Sequence, residues 1–277
     1  MSKPDTFTLG NAFRPGTVGD DAVTRMVWVL DAQDVAPSIE RLRVWALAAG
    51  AVQPGEVCLD LGSGTGTMTR RLAGFAGPEG RVLGVEPNGM LRAVAAERAA
   101  AVGAPVEFVQ GLATEIPLPD ASVDLVWCER VLQHVPDPQA AVIEIARVLR
   151  PGGRALLLDS DHESRVESDI EPDVAREMLL AFLGQLANGR CARNLSRQAM
   201  AAGLVVDPDI GSSALVFGQA ELENSQMYRL AADQAVAEGR ITPEQADEAL
   251  RGQTEGAREG WAFSAITVFG FVCRKPE

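Results

Sequence analysis

The chain has 277 residues, 47% apolar and 23% charged, proportions ordinary for a soluble globular protein and incompatible with global disorder. Lys and Arg number 25 against 38 Asp and Glu, and the net charge of −13 repels phosphate backbones and anionic lipid, so neither nucleic acid nor membrane is an expected partner. No apolar run nears the roughly 20 residues of a spanning helix and MSKPDTFTLGNAF has no continuous apolar stretch, so the expected compartment is the cytoplasm.

In chain order, helices are expected over 20–32 and 37–50, the second carrying Ile39, Leu42, Trp45 and Ala49 at near-helical spacing. Short β-like runs then alternate with helices, the strands at 56–61, 81–86, 106–109, 123–128 and 154–159. One intervening helix starts at Thr67. The next is capped by Asn88, with Leu91, Val94 and Ala95 on one face and Gly103 as terminator. Another opens with Asp137 and Pro138, carries Ile143, Ala146 and Leu149 as its apolar stripe, and stops at Pro151-Gly152-Gly153. Beyond these come helices over 171–188 and 195–203 and strands around 204–206 and 213–217. The capping box Thr242-Pro243-Glu244-Gln245 opens a helix to about residue 260, and a last strand covers 263–274.

Strand–helix alternation at this spacing implies parallel strands joined by right-handed crossovers, and runs such as VCLDL and ALLLD suit strands covered on both faces. The expected fold is a doubly wound α/β sheet, with no repeat or linker marking a second domain. Cys58, Cys128 and Cys273 lie in strand runs as small buried hydrophobes, Cys191 is the one expected at the surface, and there is no CxxC pair. With only two histidines, no metal site is expected.

The strongest chemical signal is VCLDLGSGTG, in which a buried strand ends at Asp60 and three glycines at alternate positions lead into a helix. Such glycines permit positive φ and close approach of a ligand to the backbone. Asp60 beside the loop disfavours a bulky polyanion and suits a ligand bearing an ammonium group. A dinucleotide fingerprint needs a glycine at position 67, where this chain has Thr67. Glu86 ends the next strand, where an acidic side chain accepts hydrogen bonds from both hydroxyls of a ribose.

EVCLDLGSGTGTMTRRL, VEPNGM, QGLATEIPLPDASVDLVWCERVLQHVPDP and RVLRPGGRALLLD together resemble the ordered motifs of the class I S-adenosylmethionine-dependent methyltransferases. The likeness is closest to the small-molecule branch, which includes quinone-biosynthesis C-methyltransferases and natural-product tailoring enzymes. It is strong over residues 36–160. It implies a Rossmann-like, seven-stranded sheet whose last strand is antiparallel, with helical N-terminal and C-terminal caps. The chain would then be one domain, with cap helices at 1–54, the cofactor core at 55–160 and substrate-side helices and closing strands at 161–277.

The resemblance implies S-adenosyl-L-methionine as donor and S-adenosyl-L-homocysteine as product. It places the methionine portion on Asp60, Gly62, Ser63, Gly64, Thr65 and Gly66, the ribose on Glu86, and the adenine beside Pro87 and Met90. The family's acidic residue in Gly-Asp-Ala is Leu112 here, so Leu112 and Ala113 flank the ring without accepting from its amino group. Cys128, Glu129 and Gln133 are expected near the methionine ammonium.

A sulfonium methyl is already activated, so transfer needs positioning, and a base only where the acceptor must lose a proton. His134 and His162 are the candidate bases, each with a loop histidine as the plainer alternative. Arg190, in a Gly-Arg turn, is expected to pair with an acidic or carbonyl group of a small-molecule acceptor or else to be a helix-end cation. Met26, Trp28, Leu30, Phe217, Met227 and Tyr228 are candidate apolar walls. Two other classes compete: a nicotinamide oxidoreductase, opposed by Thr67, and an adenosyl-binding protein of the same fold that transfers no methyl. The acceptor, the methylated atom and the oligomeric state are not legible in the sequence.

Overall fold

A computed structural model describes residues 20–277. Two helices lead the described chain, α1 (Asp20–Asp34) and α2 (Pro37–Gly50). The alternating core follows: β1 (Val57–Leu61), α3 (Thr67–Ala76), β2 (Arg81–Val85), α4 (Gly89–Ala101), β3 (Val106–Val109), β4 (Val123–Glu129), α5 (Pro138–Val148) and β5 (Leu149–Glu167). Then come α6 (Pro172–Leu183), α7 (Leu195–Ala201), β6 (Val205–Val206), β7 (Gly211–Val216), α8 (Gln219–Glu223), α9 (Gln226–Ala237), α10 (Pro243–Glu259) and β8 (Ser264–Arg274). Among the described residues no helix is long and apolar enough to cross a membrane.

The sheet runs β3-β2-β1-β4-β5-β8-β6, with β7 also on β8. Strands β1 to β5 are mutually parallel, and β8 is antiparallel to β5. Eight strands fill seven positions, because β6 pairs with residues 273–274 and β7 with 265–270 of the same edge of β8.

The sheet is covered on both faces, as near-continuous apolar strands require. Leu125 and Trp127 of β4 and Leu156 and Leu158 of β5 face Ile39, Leu42 and Ala46 of α2, Met68 and Leu72 of α3, and Met178 and Phe182 of α6. Their neighbours Val126, Cys128, Ala155 and Leu157 face Ala141, Val142 and Ile145 of α5 and Leu195 and Ala199 of α7. The predicted caps form: the Asn88 side chain accepts from Met90 and Leu91 N–H, Asp137 accepts from Ala140 N–H, and the Thr242–Gln245 box is closed in both directions.

Several expectations are corrected. Ile143 is half exposed, because α5 turns Ala141, Val142, Ile145 and Ala146 to the sheet and leaves Ile143 on the other side. Cys191 is buried rather than superficial. The helix expected over 171–188 ends at Leu183, and α8 and α9 lie in a stretch to which the sequence assigned no element. The largest difference is β5, which starts at Leu149 by pairing with Val123 and continues to Glu167 against Ser264. His162 therefore stands on a strand. The polar run after Asp159 has no apolar alternation; Ser160, Asp161, Val166 and Glu167 pair with β8, and residues 162–165 form an irregularity between them in which His162 N–H donates to Gly189 O.

Helix α2 is seated by Trp45, which lies across the paired glycines Gly211 of β7 and Gly270 of β8. A Cβ on Gly270 would stand 2.6 Å from Trp45 Cζ3. Gly270→Ala is therefore expected to cost about 1–3 kcal/mol by overpacking, read as a lower urea midpoint at unchanged slope.

Candidate active site

Parallel strands bring the carboxyl ends of β1, β2, β4 and β5 to one rim of the sheet, where an open α/β sheet receives ligands. The glycine loop leaves β1 with φ +73° at Gly62, +51° at Gly64 and +75° at Gly66, a path closed to most side chains. Its N–H groups are committed inward. Gly62 and Ser63 donate to Val85 O at 2.7 and 3.1 Å, Gly64 to Glu86 Oε2 at 3.1 Å, and Gly66 to Ser63 O at 2.8 Å. A loop that has used these four donors offers a poor nest for a pyrophosphate, which relies on free backbone N–H groups.

Glu86 follows β2 and is buried. Its Oε1 accepts from Asn88 N–H at 2.9 Å and its Oε2 from Gly64 N–H, so the carboxylate is fixed against the loop. Burial raises its pKa, and the two backbone donors oppose that rise. Pro87 and Met90 stand beside it, and Arg92 donates to the carbonyls of Glu86 and Pro87 at 2.7 and 2.9 Å.

Asp60, also buried, accepts a 2.6 Å hydrogen bond from Thr69 Oγ1 on α3, so it binds the strand to the following helix. Desolvation lifts its pKa to about 7, against the Thr69 hydrogen bond. Thr65 is buried in the loop, and its carbonyl accepts from Arg70 at 2.9 Å. Leu112 is exposed, with Ala113 beside it in the turn after β3. Helix α1 closes this side: Met26 joins Leu91 in a small apolar cluster with Val27, Leu30 and Met90 packed on it, and Arg98 pairs with Asp31 at 2.6 Å. Met26, expected as an acceptor wall, thus sits beside the residues expected around adenine. Trp28 is exposed.

At the end of β4, Cys128 is buried with its thiol pKa raised well above normal by desolvation. Glu129 is held by Arg43 of α2, whose Nε donates at 2.8 and 3.1 Å, and by Trp127 Nε1 at 3.2 Å. Arg43 reaches on to Asp34 Oδ1 at 2.7 Å. This buried ion pair escaped the sequence reading. Its signal was an arginine set among Ile39, Leu42 and Ala46 on the inward face of α2.

Gln133 lies in the 3₁₀ turn Leu132–His134 and joins the two histidines. Its Oε1 is 2.9 Å from His162 Nε2, and its Nε2 is 3.2 Å from His134 Nε2. That amide orientation puts the proton of neutral His162 on Nε2 and makes His134 Nε2 an acceptor. Burial lowers the pKa of His134 to about 4 and of His162 to about 3, with Arg130 and Arg165 respectively adding repulsion. Asp159 underlies the cluster, accepting from Ser160 and Gln133 N–H at 2.8 and 3.2 Å, with its pKa lifted to about 7 by burial.

Of the expected substrate residues, Phe217, Met227 and Tyr228 lie together around one core cluster. Arg190 is exposed and paired with Glu163 at 2.7 Å. Tyr228 is buried on α9, its hydroxyl 2.5 Å from Glu167 Oε2 and 2.7 Å from Ser264 Oγ. Phe217 lies in the same core cluster, and Met227 packs at its border.

The profile of the methyltransferase domain family matches residues 59–157. The ubiquinone/menaquinone biosynthesis C-methyltransferase UbiE of Cupriavidus metallidurans is 30% identical over 69% of this chain and 76% of its own length. An uncharacterized 37.1 kDa protein of transposon TN4556 from Streptomyces fradiae is 36% identical over 74% of this chain, which spans 59% of that protein. Among solved structures, the Haemonchus contortus phosphoethanolamine N-methyltransferase 2 complex with S-adenosyl-L-methionine superposes with a TM-score of 0.59 at 20% identity. That likeness, over 94% of this chain and 58% of the other, is one of fold.

The low pKa of His162 has a stability consequence. Its folded value lies below the ordinary 6.5, so its contribution is complete above pH 6.5 and is lost as pH falls toward 3. His162→Gln is expected to lose less stability than the wild type between pH 7 and pH 4, by on the order of 2 kcal/mol in urea titrations.

Proposed function

The chain belongs to the class I S-adenosylmethionine-dependent methyltransferases, and on that premise we propose that it methylates oxygen, nitrogen or carbon of a small-molecule acceptor in cytoplasmic natural-product biosynthesis. Glu86 is the observation that carries the assignment of the donor side. Each carboxylate oxygen accepts one backbone N–H and retains a lone pair, so two vicinal hydroxyls of a ribose can donate to a group already fixed in place. The inward-turned N–H groups at 62, 63, 64 and 66 favour an ammonium-bearing ligand over a dinucleotide.

In this reading Gly62, Ser63, Gly64, Thr65 and Gly66 shape the methionine side of the site. Asp60 acts through Thr69 to fix the loop. Cys128, Glu129 and Gln133 border the ammonium, and the charge of Glu129 is shared with Arg43. Pro87, Met90, Leu112 and Ala113 enclose the adenine, with Met26 closing over Met90. Leu112 has no acceptor for the adenine amino group, which leaves backbone and packing to hold the ring.

Bound donor supplies a methyl group that needs no further activation. The chain then has to place an acceptor atom in line and keep water out. His134, Gln133 and His162 form a neutral, fixed edge beside the β4–β5 rim, and an imidazole with a pKa of about 3 or 4 is a weak base at pH 7. This edge favours orienting an acceptor over stripping a proton from a reluctant one.

Two measurements test the reading. Glu86→Gln is expected to weaken S-adenosylhomocysteine binding about tenfold to a hundredfold by calorimetry, the scale of hydrogen bonds to a charged group. Incubation with methyl-labelled S-adenosylmethionine and a panel of phenols, amines and quinones should carry label into product. Tight homocysteine-analogue binding without transfer to any acceptor would instead favour the non-transferring adenosyl-binding role.

A further inference from the structure

Three residues beyond His162, on the extension of β5, stands Arg165. Its guanidinium carbon lies 5.4 Å from the ring centroid of Phe182, 5.6 Å from Phe217 and 5.2 Å from Tyr228. Three aromatic rings from three separate segments thus converge on one cation. Most arginines near this region are ion-paired, as Arg190 and Arg193 are with Glu163 and Asp161. Among the described residues no carboxylate comes within salt-bridge distance of Arg165. Its Nη2 has Met227 Sδ at 3.1 Å, and its Nε is sealed from solvent with no acceptor.

A sealed N–H on a charged group with only a thioether nearby is a costly arrangement. Two carboxylates act on it only through the longer-range field and neither bonds to it: Glu167, which accepts from the Tyr228 hydroxyl, and Glu221. The guanidinium is continuous with the candidate active site, since Phe182 also stacks edge-on against His162 at 5.7 Å. Cation, buried aromatic rings, His162 and Gln133 therefore adjoin one another beside the β4–β5 rim, and Met227 is the half-buried member of the cage.

We propose that Arg165 is the specificity-determining contact for the acceptor, receiving a carboxylate carried by a small planar molecule that enters where the half-buried Met227 side chain now lies. A carboxylate matches the fork of guanidinium N–H groups, and the flexible Met227 side chain is the group it displaces. This inference rests on the methyltransferase reading given above. It replaces Arg190, whose charge is already neutralised by Glu163.

The test uses the full chain saturated with S-adenosylhomocysteine and titrated with 4-fluorobenzoate or 4-fluorobenzamide, followed by ¹⁹F NMR. The wild type should bind the carboxylate at least tenfold more tightly than the isosteric amide. Arg165→Gln should bring the two within about threefold at unchanged homocysteine-analogue affinity, and Arg165→Lys should restore part of the preference. A wild type that does not distinguish the two probes, or an Arg165→Gln variant that still does, overturns the proposal. If removing Arg165 lowers the melting temperature and leaves the preference intact, the cage is only a structural brace and the proposal fails. Loss of S-adenosylhomocysteine binding by the wild type is a separate result, and it strikes the donor assignment instead.

Discussion

The buried pair between Arg43 and Glu129 is the constraint on which the site's architecture depends. Glu129 ends the central strand β4, and an isolated carboxylate there would carry a desolvation cost of several kcal/mol. Arg43 compensates it from α2, and the same guanidinium reaches Asp34 at the end of α1. One cation thus fixes two helices that precede the core against the rim of the sheet. The position of α1 over the glycine loop follows from it, as does the enclosure of Met90 and Leu91 by Met26. Arg154 does comparable work at the opposite end of the strands, joining β5 to Glu56 and to the carbonyls of Gly50 and Ala51.

Between these anchors the site is organised by buried groups whose ordinary charge has been suppressed or fixed. Burial lifts the pKa of Asp60 and Asp159 to about 7, and it raises that of Glu86, which two backbone donors steady. The histidines are neutral for the same reason, and Gln133 ties their orientations together. Such a rim recognises shape and hydrogen-bond direction without large charge rearrangement on ligand entry. That property suits a reaction whose main demand is alignment.

Much of the parallel core was legible because its signals are local. Capping at Asn88, Asp137 and Thr242 marks helix starts, and apolar runs bounded by glycine and proline mark β1 to β4 within a residue or two. The glycine loop and Glu86 could be placed from spacing alone, since strand ends in such a sheet fall on a common rim. What escaped depends on tertiary pairing. The polar half of β5 is held by pairing with β8 on either side of residues 162–165, so His162 looked like a loop residue. Arg43 carried no role in the sequence, because its partner is 86 residues away. Tyr228 was read as a wall and is bonded into the core through Glu167 and Ser264, on a helix with no strong sequence punctuation.

The division of one edge position between β6 and β7 bears on how the chain behaves in a crowd. An uninterrupted edge strand exposes a ladder of unpaired amides on which a second molecule can dock. Here that edge is broken at Asp207-Pro208-Asp209. Proline has no amide hydrogen to offer, Asp207 is drawn to Arg274, and Asp209 accepts from Trp45. At the far side, β3 is only four residues long, and its Glu107 is bridged to Arg81. Among the described residues neither margin presents a long flat template, so this sheet offers little on which a second copy could extend it.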